Sequence, residues 1–257
     1  MKSLDDAGVM NHAYAAGIVE SALAGMRMTE ERLPFTVRIV RGGDALEKAV
    51  AIRQAAYARH VPAFAAKLNA PEPNDHDQGS LVLLAESRMD GSPVGTMRIQ
   101  TNRFRDLAIT QSVELPEWLR DRSMAEGTRL AVAQGSSGRV VKIVLCKAFY
   151  LYSLAANIEW MVIAARSPLD RQYEAALFTD VYPGQLFPMR HGNNIPHRVL
   201  AFEVGTAAQR WAEASHPLSK FMVHTRHPDI DLNGSDTSSW SRSARNVESG
   251  DLVALSA

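Results

Sequence analysis

Residues 125–157 read AEGTRLAVAQGSSGRVVKIVLCKAFYLYSLAAN. The pattern predicts a short strand at 128–133, a polar turn at 134–139 and a long apolar helix at 140–156. A strand, a flexible turn and a helix N-terminus form an arrangement that holds anions, because the first N–H groups of a helix lack internal partners. A buried strand and helix joined by a turn that needs glycine would explain the same pattern.

The residues in and before this turn have the chemistry of a site. Gly135 and Gly138 allow the backbone to approach a ligand closely, and Arg139 adds a cation that suits phosphate. Glu126 and Arg129 lie three residues apart where the strand begins, among small and apolar residues. Charged side chains in such a segment need partners or a ligand.

Composition limits the classes of function. The chain has 257 residues, 28 basic and 28 acidic, so its total charge does not indicate a nucleic-acid partner. The single cysteine, Cys146, excludes an intramolecular disulfide and a cysteine-rich zinc site. Neither a signal peptide nor a run of about 18 apolar residues is visible. We therefore expect a cytoplasmic protein.

The neighbouring segments predict an α/β fold with a mixed central sheet flanked by helices. A crossover unit is expected where the strand at 128–133, the long helix and a strand at 158–165 follow one another, which requires parallel strands. Asp90-Gly91 predicts an antiparallel hairpin. The remaining predicted elements are a strand at 35–41, a helix at 45–60, a loop at 61–80, irregular chain at 101–124, a helix at 167–178, a strand at 197–204 and a helix at 206–214.

Three regions are expected along the chain. Residues 1–34 form an N-terminal extension with an amphipathic helix at 8–27, and residues 35–225 form the main domain. Residues 226–257 are rich in Ser, Asp and Asn, and we expect a mobile tail because few apolar residues there offset the entropy of ordering.

Four ionisable residues fall on otherwise apolar elements of the predicted sheet and first helix: Arg53, Arg98, Glu126 and Arg129. Buried charges must pair, and such clusters mark functional sites, although structural salt bridges alone would also account for them. No metal site is expected, because Asp75-His76-Asp77 is a weak pattern and His224-x-x-His227 has no apparent third ligand.

The order of elements resembles the GNAT acyltransferase architecture, in which the turn after the central strand cradles an acyl thioester. Where that family usually has Q/R-x-x-G-x-G/A, this chain has Gln134-x-x-Ser137-x-Arg139, with glycines at 135 and 138. Within the superfamily, the chain resembles N-acyl amino acid synthases and the related acyl-homoserine-lactone synthases over residues 36–205.

Four motifs support this closer resemblance, and the last is the most specific: Arg53-x-x-x-Tyr57, the acidic loop with Asp75 and Asp77, Gly95-x-x-Arg98, and Glu126-x-x-Arg129-Leu-Ala-Val. The homoserine-lactone enzymes usually carry a tryptophan after the first helix. This chain has Phe64 in that segment and no tryptophan, so the N-acyl amino acid synthases match better.

The resemblance implies transfer of a fatty acyl group from acyl carrier protein or coenzyme A to the amine of an amino acid. Glu126 would accept the amine proton, and Arg98 or Arg129 would bind the carboxylate. Backbone N–H groups at 130–132, including Leu130 and Val132, would stabilise the oxyanion. The resemblance places Arg53, Tyr57, Asp75 and Asp77 beside the acceptor. It places the thioester against Gln134, Gly135, Ser137, Gly138 and Arg139.

Two other functions remain open: an acyl-homoserine-lactone synthase, and a GNAT-fold protein that binds acyl groups without transferring them. No permanently bound cofactor is expected, since the acyl thioester is a co-substrate. Acyl carrier protein is acidic, and these basic residues are candidates to meet it: Arg103, Arg105, Arg120, Arg122, Arg139, Lys142 and Lys147. The sequence leaves peripheral membrane association and oligomeric state open.

Overall fold

The computed structural model describes residues 28–135 and 138–233. The helix expected at 8–27, Ser137 of the turn, and the tail from residue 234 onward lie outside this range. Eleven strands are described: β1 Thr29–Glu30, β2 Phe35–Val40, β3 Ser80–Ser87, β4 Pro93–Thr101, β5 Met124–Val132, β6 Trp160–Ala165, β7 Thr179–Asp180, β8 Phe187–Met189, β9 Ile195–Glu203, β10 Thr225–Arg226 and β11 Ile230–Asp231.

The α-helices of the described residues are α1 Gly43–Ala58, α2 Pro62–Ala65, α3 Glu117–Arg120, α4 Gly138–Ala155, α5 Leu169–Ala175 and α6 Ala207–Glu213. Short 3-10 turns lie at Pro73–Asp75, Ala108–Gln111 and Arg190–Gly192, and a π-helical turn lies at Lys220–His224. No helix among these is long and apolar enough to cross a membrane.

The main sheet has the strand order β11-β2-β3-β4-β5-β6-β9-β7, with β8 also paired to β9. The β3–β4 hairpin is antiparallel and β5 runs parallel to β6, which confirms both expected connections. The strand expected at 128–133 begins earlier, at Met124, so Glu126 and Arg129 lie inside it. The sheet is therefore mixed and carries helices on both faces.

The two faces of the sheet differ in chemistry. Met97 and Ile99 of β4 join the main apolar core, in which Val141 and Leu145 of α4 are buried. Thr96, Arg98 and Gln100 alternate with them and are buried polar residues on the opposite face. We call the first side the α4 face and the second the α1 face, because α1 packs against β3 there through Leu46 and Val82, among others.

A β-bulge interrupts the pairing of β5 with β4. Thr96 pairs with Ala131 and Arg98 with Thr128, so two residues of β5 oppose Met97 alone. Arg129, one of the two, has a left-handed backbone with φ 54°. The bulge directs the side chain of Arg129 to the α1 face beside Thr128, whereas strict alternation would direct it to the α4 face.

Strand β5 separates from β6 just before this bulge. Their pairing runs from Met124 with Trp160 to Gly127 with Ile163, while β5 continues to Val132. The N–H of Ala133 donates to the carbonyl of Val94, and alternate residues present their polar groups to opposite edges. The N–H and carbonyl of Val132 therefore point toward the gap between β5 and β6, which we call the splay.

Residues near both expected domain boundaries join the fold. Strand β1 pairs with β10, and β11 pairs with β2 at the edge of the main sheet. Asp229 is buried, accepts a hydrogen bond from the N–H of Leu33 at 2.8 Å, and also pairs with Arg88. The chain just beyond the expected boundary at 226 thus contributes strands at Thr225–Arg226 and Ile230–Asp231.

We predict that Gly95→Ala lowers the free energy of unfolding by about 1–3 kcal/mol, measured by urea denaturation. A Cβ at Gly95 would lie 2.5 Å from Cγ1 of Val141 and 3.1 Å from Cδ1 of Leu145, both buried on α4. Gly205→Ala is the control, since no atom lies within 4 Å of its added Cβ. Equal stability of the two variants would contradict the close approach of α4 to β4.

Candidate active site

Three arginines and two carboxylates form one cluster on the α1 face: Arg53, Arg98, Arg129, Glu72 and Asp75. Arg53 donates to both oxygens of Asp75 at 2.9 and 3.0 Å, and Arg98 reaches the same carboxylate at 3.2 Å. Arg129 donates to both oxygens of Glu72 at 2.7 Å. Because Arg53 and Arg98 also contact Glu72, at 3.2 and 3.1 Å, the five side chains act as one network.

The cluster contains four of the residues that the sequence singled out: Arg53, Asp75, Arg98 and Arg129. A fifth, Asp77, is not part of it and pairs with Arg105 at 2.7 Å on the surface. Glu72 takes the second acidic position, and its side chain and that of Asp75 cap the turn at Pro73–Asp75 reciprocally. The sequence Glu72-Pro-Asn-Asp75 could have indicated this role for Glu72, because a capping box pairs two side chains three residues apart.

Tyr57 and Phe64 flank the cluster. The two rings make an edge contact with centroids 5.6 Å apart, and the guanidinium of Arg129 lies 5.1 Å from the centroid of Phe64. Tyr57 is half-buried, and its hydroxyl acts to raise the pKa of Arg129. The aromatic pair therefore covers one side of the buried guanidinium, so Tyr57 lies at the candidate site as expected.

The cluster carries more positive than negative charge. Burial acts to raise the pKa of Glu72, but Arg129, Arg98 and Arg53 hold it below the ordinary value. Asp75 behaves likewise: burial opposes ionisation, and Arg53 and Arg98 lower its pKa. With both carboxylates ionised, three guanidinium groups face two negative charges. One further anion would neutralise the network.

Glu126 lies on the same face, at the last rungs where β5 is paired on both sides. It is fully buried opposite Gln100 of β4 and Val162 of β6. Its Oε2 accepts the N–H of Ile109 at 3.0 Å, whereas Oε1 has no hydrogen-bond partner among the described residues. Burial raises the pKa of Glu126 to about 7, although Arg98 and Arg129 act to lower it.

His191 stands beside Glu126 and did not emerge from the sequence. Its Nε2 lies 3.7 Å from Oε1 of Glu126, and its carbonyl accepts a hydrogen bond from Arg129 at 2.9 Å. Burial and the charges of Arg129, His197 and Arg98 together lower the pKa of His191 to about 4, although the backbone of Ala108 acts to raise it, so the ring is neutral at pH 7. It lies in a loop that the β8–β9 pairing brings to the site, a contact that no local pattern predicts.

A large apolar cavity lies on the other side of the splay, on the α4 face. Its volume is about 850 Å³. Val132 lines it beyond the point where β5 and β6 separate, Met161 lines it from the paired part of β6, and Tyr150 lines it from α4. Phe178, Phe202 and Trp211 form an aromatic stack in its wall, with successive centroids 5.0 and 5.2 Å apart. Phe149, next to Tyr150 on α4, packs in the core under Gly127.

The turn at the start of α4 forms the polar rim of this cavity. Gln134, Gly135, Gly138 and Arg139 all line it, as does Lys142 of α4. Leu130 packs against the core of the α4 face. The glycine-containing turn and the apolar cavity are thus continuous, an arrangement that suits a ligand with a polar arm and an apolar end.

Two backbone groups of Val132, its carbonyl and its N–H, face the splay. The carbonyl of Val132 accepts a hydrogen bond from Nη2 of Arg59 at 3.0 Å, and its N–H points into the same gap. The splay lies between the cavity on the α4 face and the ion cluster on the α1 face.

Most of the basic residues expected to meet acyl carrier protein lie away from the mouth of the cavity. Lys147 is buried, and Arg105, Arg120 and Arg122 each pair with a nearby carboxylate. Arg139 and Lys142 remain at the mouth of the cavity. Within the described residues, no group of three or more His, Cys, Asp or Glu side chains is arranged to hold a metal ion.

We predict that Glu126→Gln raises the free energy of unfolding at pH 8 by up to roughly 3 kcal/mol. The folded pKa of about 7 lies above the ordinary value of 4.5, so the folded state binds the extra proton and loses stability as pH rises between them. Urea denaturation should therefore show a smaller gain at pH 5. An equal gain at both pH values would contradict this reading.

Glu159→Gln is the control, because it should change the free energy of unfolding in the opposite direction. Burial acts to raise the pKa of Glu159, but hydrogen bonds from Ser123 and Arg122 lower it below the ordinary value. The carboxylate therefore stabilises the fold above pH 4.5, and its removal should lower stability at pH 8.

Comparisons with known proteins agree with this architecture. No family model matches the sequence, and no curated protein matches it. Among solved structures, FeeM, an N-acyl amino acid synthase from uncultured soil microbes, is similar with a TM-score of 0.53 and 17% identity, over 73% of this chain and 97% of that one. BjaI, a CoA-dependent acyl-homoserine lactone synthase solved with SAM and isopentyl-CoA, is similar with a TM-score of 0.53 and 13% identity, over 78% of this chain and 94% of that one. The chain therefore has the GNAT-like α/β fold that its sequence predicts, in a form similar to that of these synthases.

Proposed function

We propose that this protein is an N-acyltransferase that moves a fatty acyl group from a thioester of acyl carrier protein or coenzyme A to the amine of an amino acid. One observation carries the proposal: the splay of β5 and β6 lies between an apolar cavity of about 850 Å³ and a buried cluster of acid, base and guanidinium groups. A thioester in this gap would meet its acyl pocket on one face and its acceptor on the other.

The cavity suits an acyl donor. Ligand pockets commonly have volumes of roughly 300–1,000 Å³, so this cavity is among the larger ones. Its wall is mostly apolar and aromatic, and each methylene buried there contributes about 0.8 kcal/mol. Its polar rim, with Arg139, Lys142 and the N-terminus of α4, suits the phosphate-bearing arm of a carrier.

The ion cluster suits an amino acid as acceptor. The surplus positive charge among Arg53, Arg98 and Arg129 favours a ligand that brings one negative charge, and a carboxylate is such a group. Glu72 is the more accessible acid, since its side chain is 21% exposed and that of Asp75 is not exposed. The acceptor's carboxylate would therefore approach along Glu72 and Arg129.

The chemistry then requires a base and an oxyanion site. Glu126, with a pKa of about 7, would accept a proton from the ammonium group, directly or through an intermediary. The freed amine attacks the thioester carbonyl, the C–N bond forms, the C–S bond breaks, and the thiolate takes up a proton. The N–H of Val132, which points into the splay, would stabilise the oxyanion.

We expect new N-acyl amino acids in lipid extracts of a bacterial host that expresses this chain, and their absence from the same host expressing Glu126→Gln. Untargeted mass spectrometry identifies both the amino acid and the acyl chain. Glu159→Gln, the same substitution at a glutamate whose side chain is 43% exposed and does not line the cavity, is the control and should retain the products. New lactones would instead indicate a homoserine-lactone synthase, and acyl-thioester binding without transfer would indicate a sensor.

We also predict that Ile143→Trp shortens the preferred acyl chain, because Ile143 lines the cavity from α4. Each methylene that no longer fits would lower the preference for the longer chain roughly fourfold. Competition between thioesters of different chain length measures the shift. Val140→Trp, at an exposed position of the same helix, should leave the preference unchanged; a shift in both variants would rule out a specific effect on the cavity.

A further inference from the structure

Glu126 is too deeply buried to touch an acceptor unaided. Its side chain has no exposed surface, whereas 13% of the His191 side chain is exposed. Residues 108–109 cover Glu126 from one side, where the N–H of Ile109 binds Oε2. His191 faces the other carboxylate oxygen, with its Nε2 3.7 Å from Oε1, and is the partly exposed member of the pair.

Two polar atoms in this pair lack partners among the described residues: Oε1 of Glu126 and Nδ1 of His191. Leaving such an atom buried and unpaired costs about 1–3 kcal/mol. The distance of 3.7 Å between Nε2 and Oε1 exceeds a hydrogen bond, but a shift of less than 1 Å would close it. Closure would satisfy Oε1 and leave Nδ1 as the remaining unpaired atom.

We propose that His191 relays the acceptor's proton to Glu126, with Nδ1 receiving the amine proton and Nε2 passing its own proton to Oε1. This inference rests on the proposed function and names the atom that would receive the amine proton. The ammonium N–H bond breaks and an Nδ1–H bond forms, while the Nε2–H bond breaks and an O–H bond forms on Glu126. The imidazole remains neutral and only exchanges tautomers, so no charge is left on it.

The surrounding charges favour this direction of transfer. Arg129 of β5, Arg98 of β4 and His197 of β9 all act with burial to keep His191 neutral, so the imidazole does not retain the proton. Glu126, whose pKa burial raises to about 7, is the stronger base of the two at neutral pH. Arg129 also fixes the position of His191 by its hydrogen bond to the backbone carbonyl.

The pair can be tested in the free protein, without any acyl transfer. In nitrogen-detected NMR of the full chain labelled at histidine, the His191 signals should shift in two steps, near pH 7 with Glu126 and near pH 4 with His191 itself. Glu126→Gln should remove the step near pH 7. A His191 titration that Glu126→Gln leaves unchanged would overturn the pairing, whether or not the protein proves to be an acyltransferase.

Kinetics then test the relay. His191→Gln should lower kcat for the amino acid about 10²-fold or more and leave the KM for the acyl thioester within about twofold. The double variant Glu126→Gln/His191→Gln should be no slower than the slower single variant, because the two residues act as a unit. His60→Gln, at an exposed histidine just after α1, is the control and should retain kcat within about threefold.

His191→Gln with wild-type kcat, or losses that multiply in the double variant, would overturn the relay. Thermal unfolding of each variant separates loss of fold from loss of turnover. If the wild-type protein transfers no acyl group to any amine, the proposed function fails, and the NMR titration still decides whether Glu126 and His191 are coupled.

Discussion

Three guanidinium groups are buried under helix α1 and hydrogen-bonded to two carboxylates, and the rest of the site is arranged around this constraint. Arg53 and Arg98 are essentially without solvent exposure, so each requires charged partners at hydrogen-bond distance. The turn at 73–75 supplies both acids at once because its reciprocal cap holds Glu72 and Asp75 together. Helix α1, strand β4, strand β5 and the loop after α2 are thereby tied to one position, which is also where a substrate anion would complete the charge balance.

The β-bulge at Arg129 links this charge balance to the geometry of the strands. Without the extra residue, the side chain of Arg129 would point into the apolar α4 face, away from Glu72. With the extra residue, both side chains lie on the α1 face, where Arg129 donates to Glu72 and Thr128 accepts a hydrogen bond from Arg98. The bulge also increases the local bend of β5, and β5 loses its pairing with β6 at that level. One backbone irregularity thus places a cation and opens the splay, which explains why a non-glycine residue occupies a left-handed conformation there.

The sequence predicted the parts of the site that local chemistry reveals. Arg53, Arg98, Glu126 and Arg129 were identifiable because charged residues interrupt apolar strands and helices. Glu72 was missed because an acid in a proline-rich loop looks like a solvated turn, and His191 because only the β8–β9 pairing brings its loop to Glu126. Lys147 was assigned to the surface of α4, yet it is buried and donates to the carbonyls of Phe221 and Thr225, with Nδ1 of His227 at 3.0 Å. These errors share a cause, since each partner lies far away in sequence.

The buried Lys147 also explains why the chain beyond α6 belongs to the fold. Its contacts join the middle of α4 to the π-helical turn at 220–224, and residues immediately before that turn, His216 to Leu218, line the apolar cavity. Helix α4 therefore shapes the cavity at two places. Its N-terminus forms the polar rim, and Lys147 fixes the turn at 220–224, which follows the lining residues His216 to Leu218. Burial lowers the pKa of Lys147 to about 8, but three acceptors surround its ammonium group and offset the loss of solvation. The same helix thus positions both ends of a ligand that enters from the turn, while the acid–base pair on the opposite face remains separated from it by a single strand.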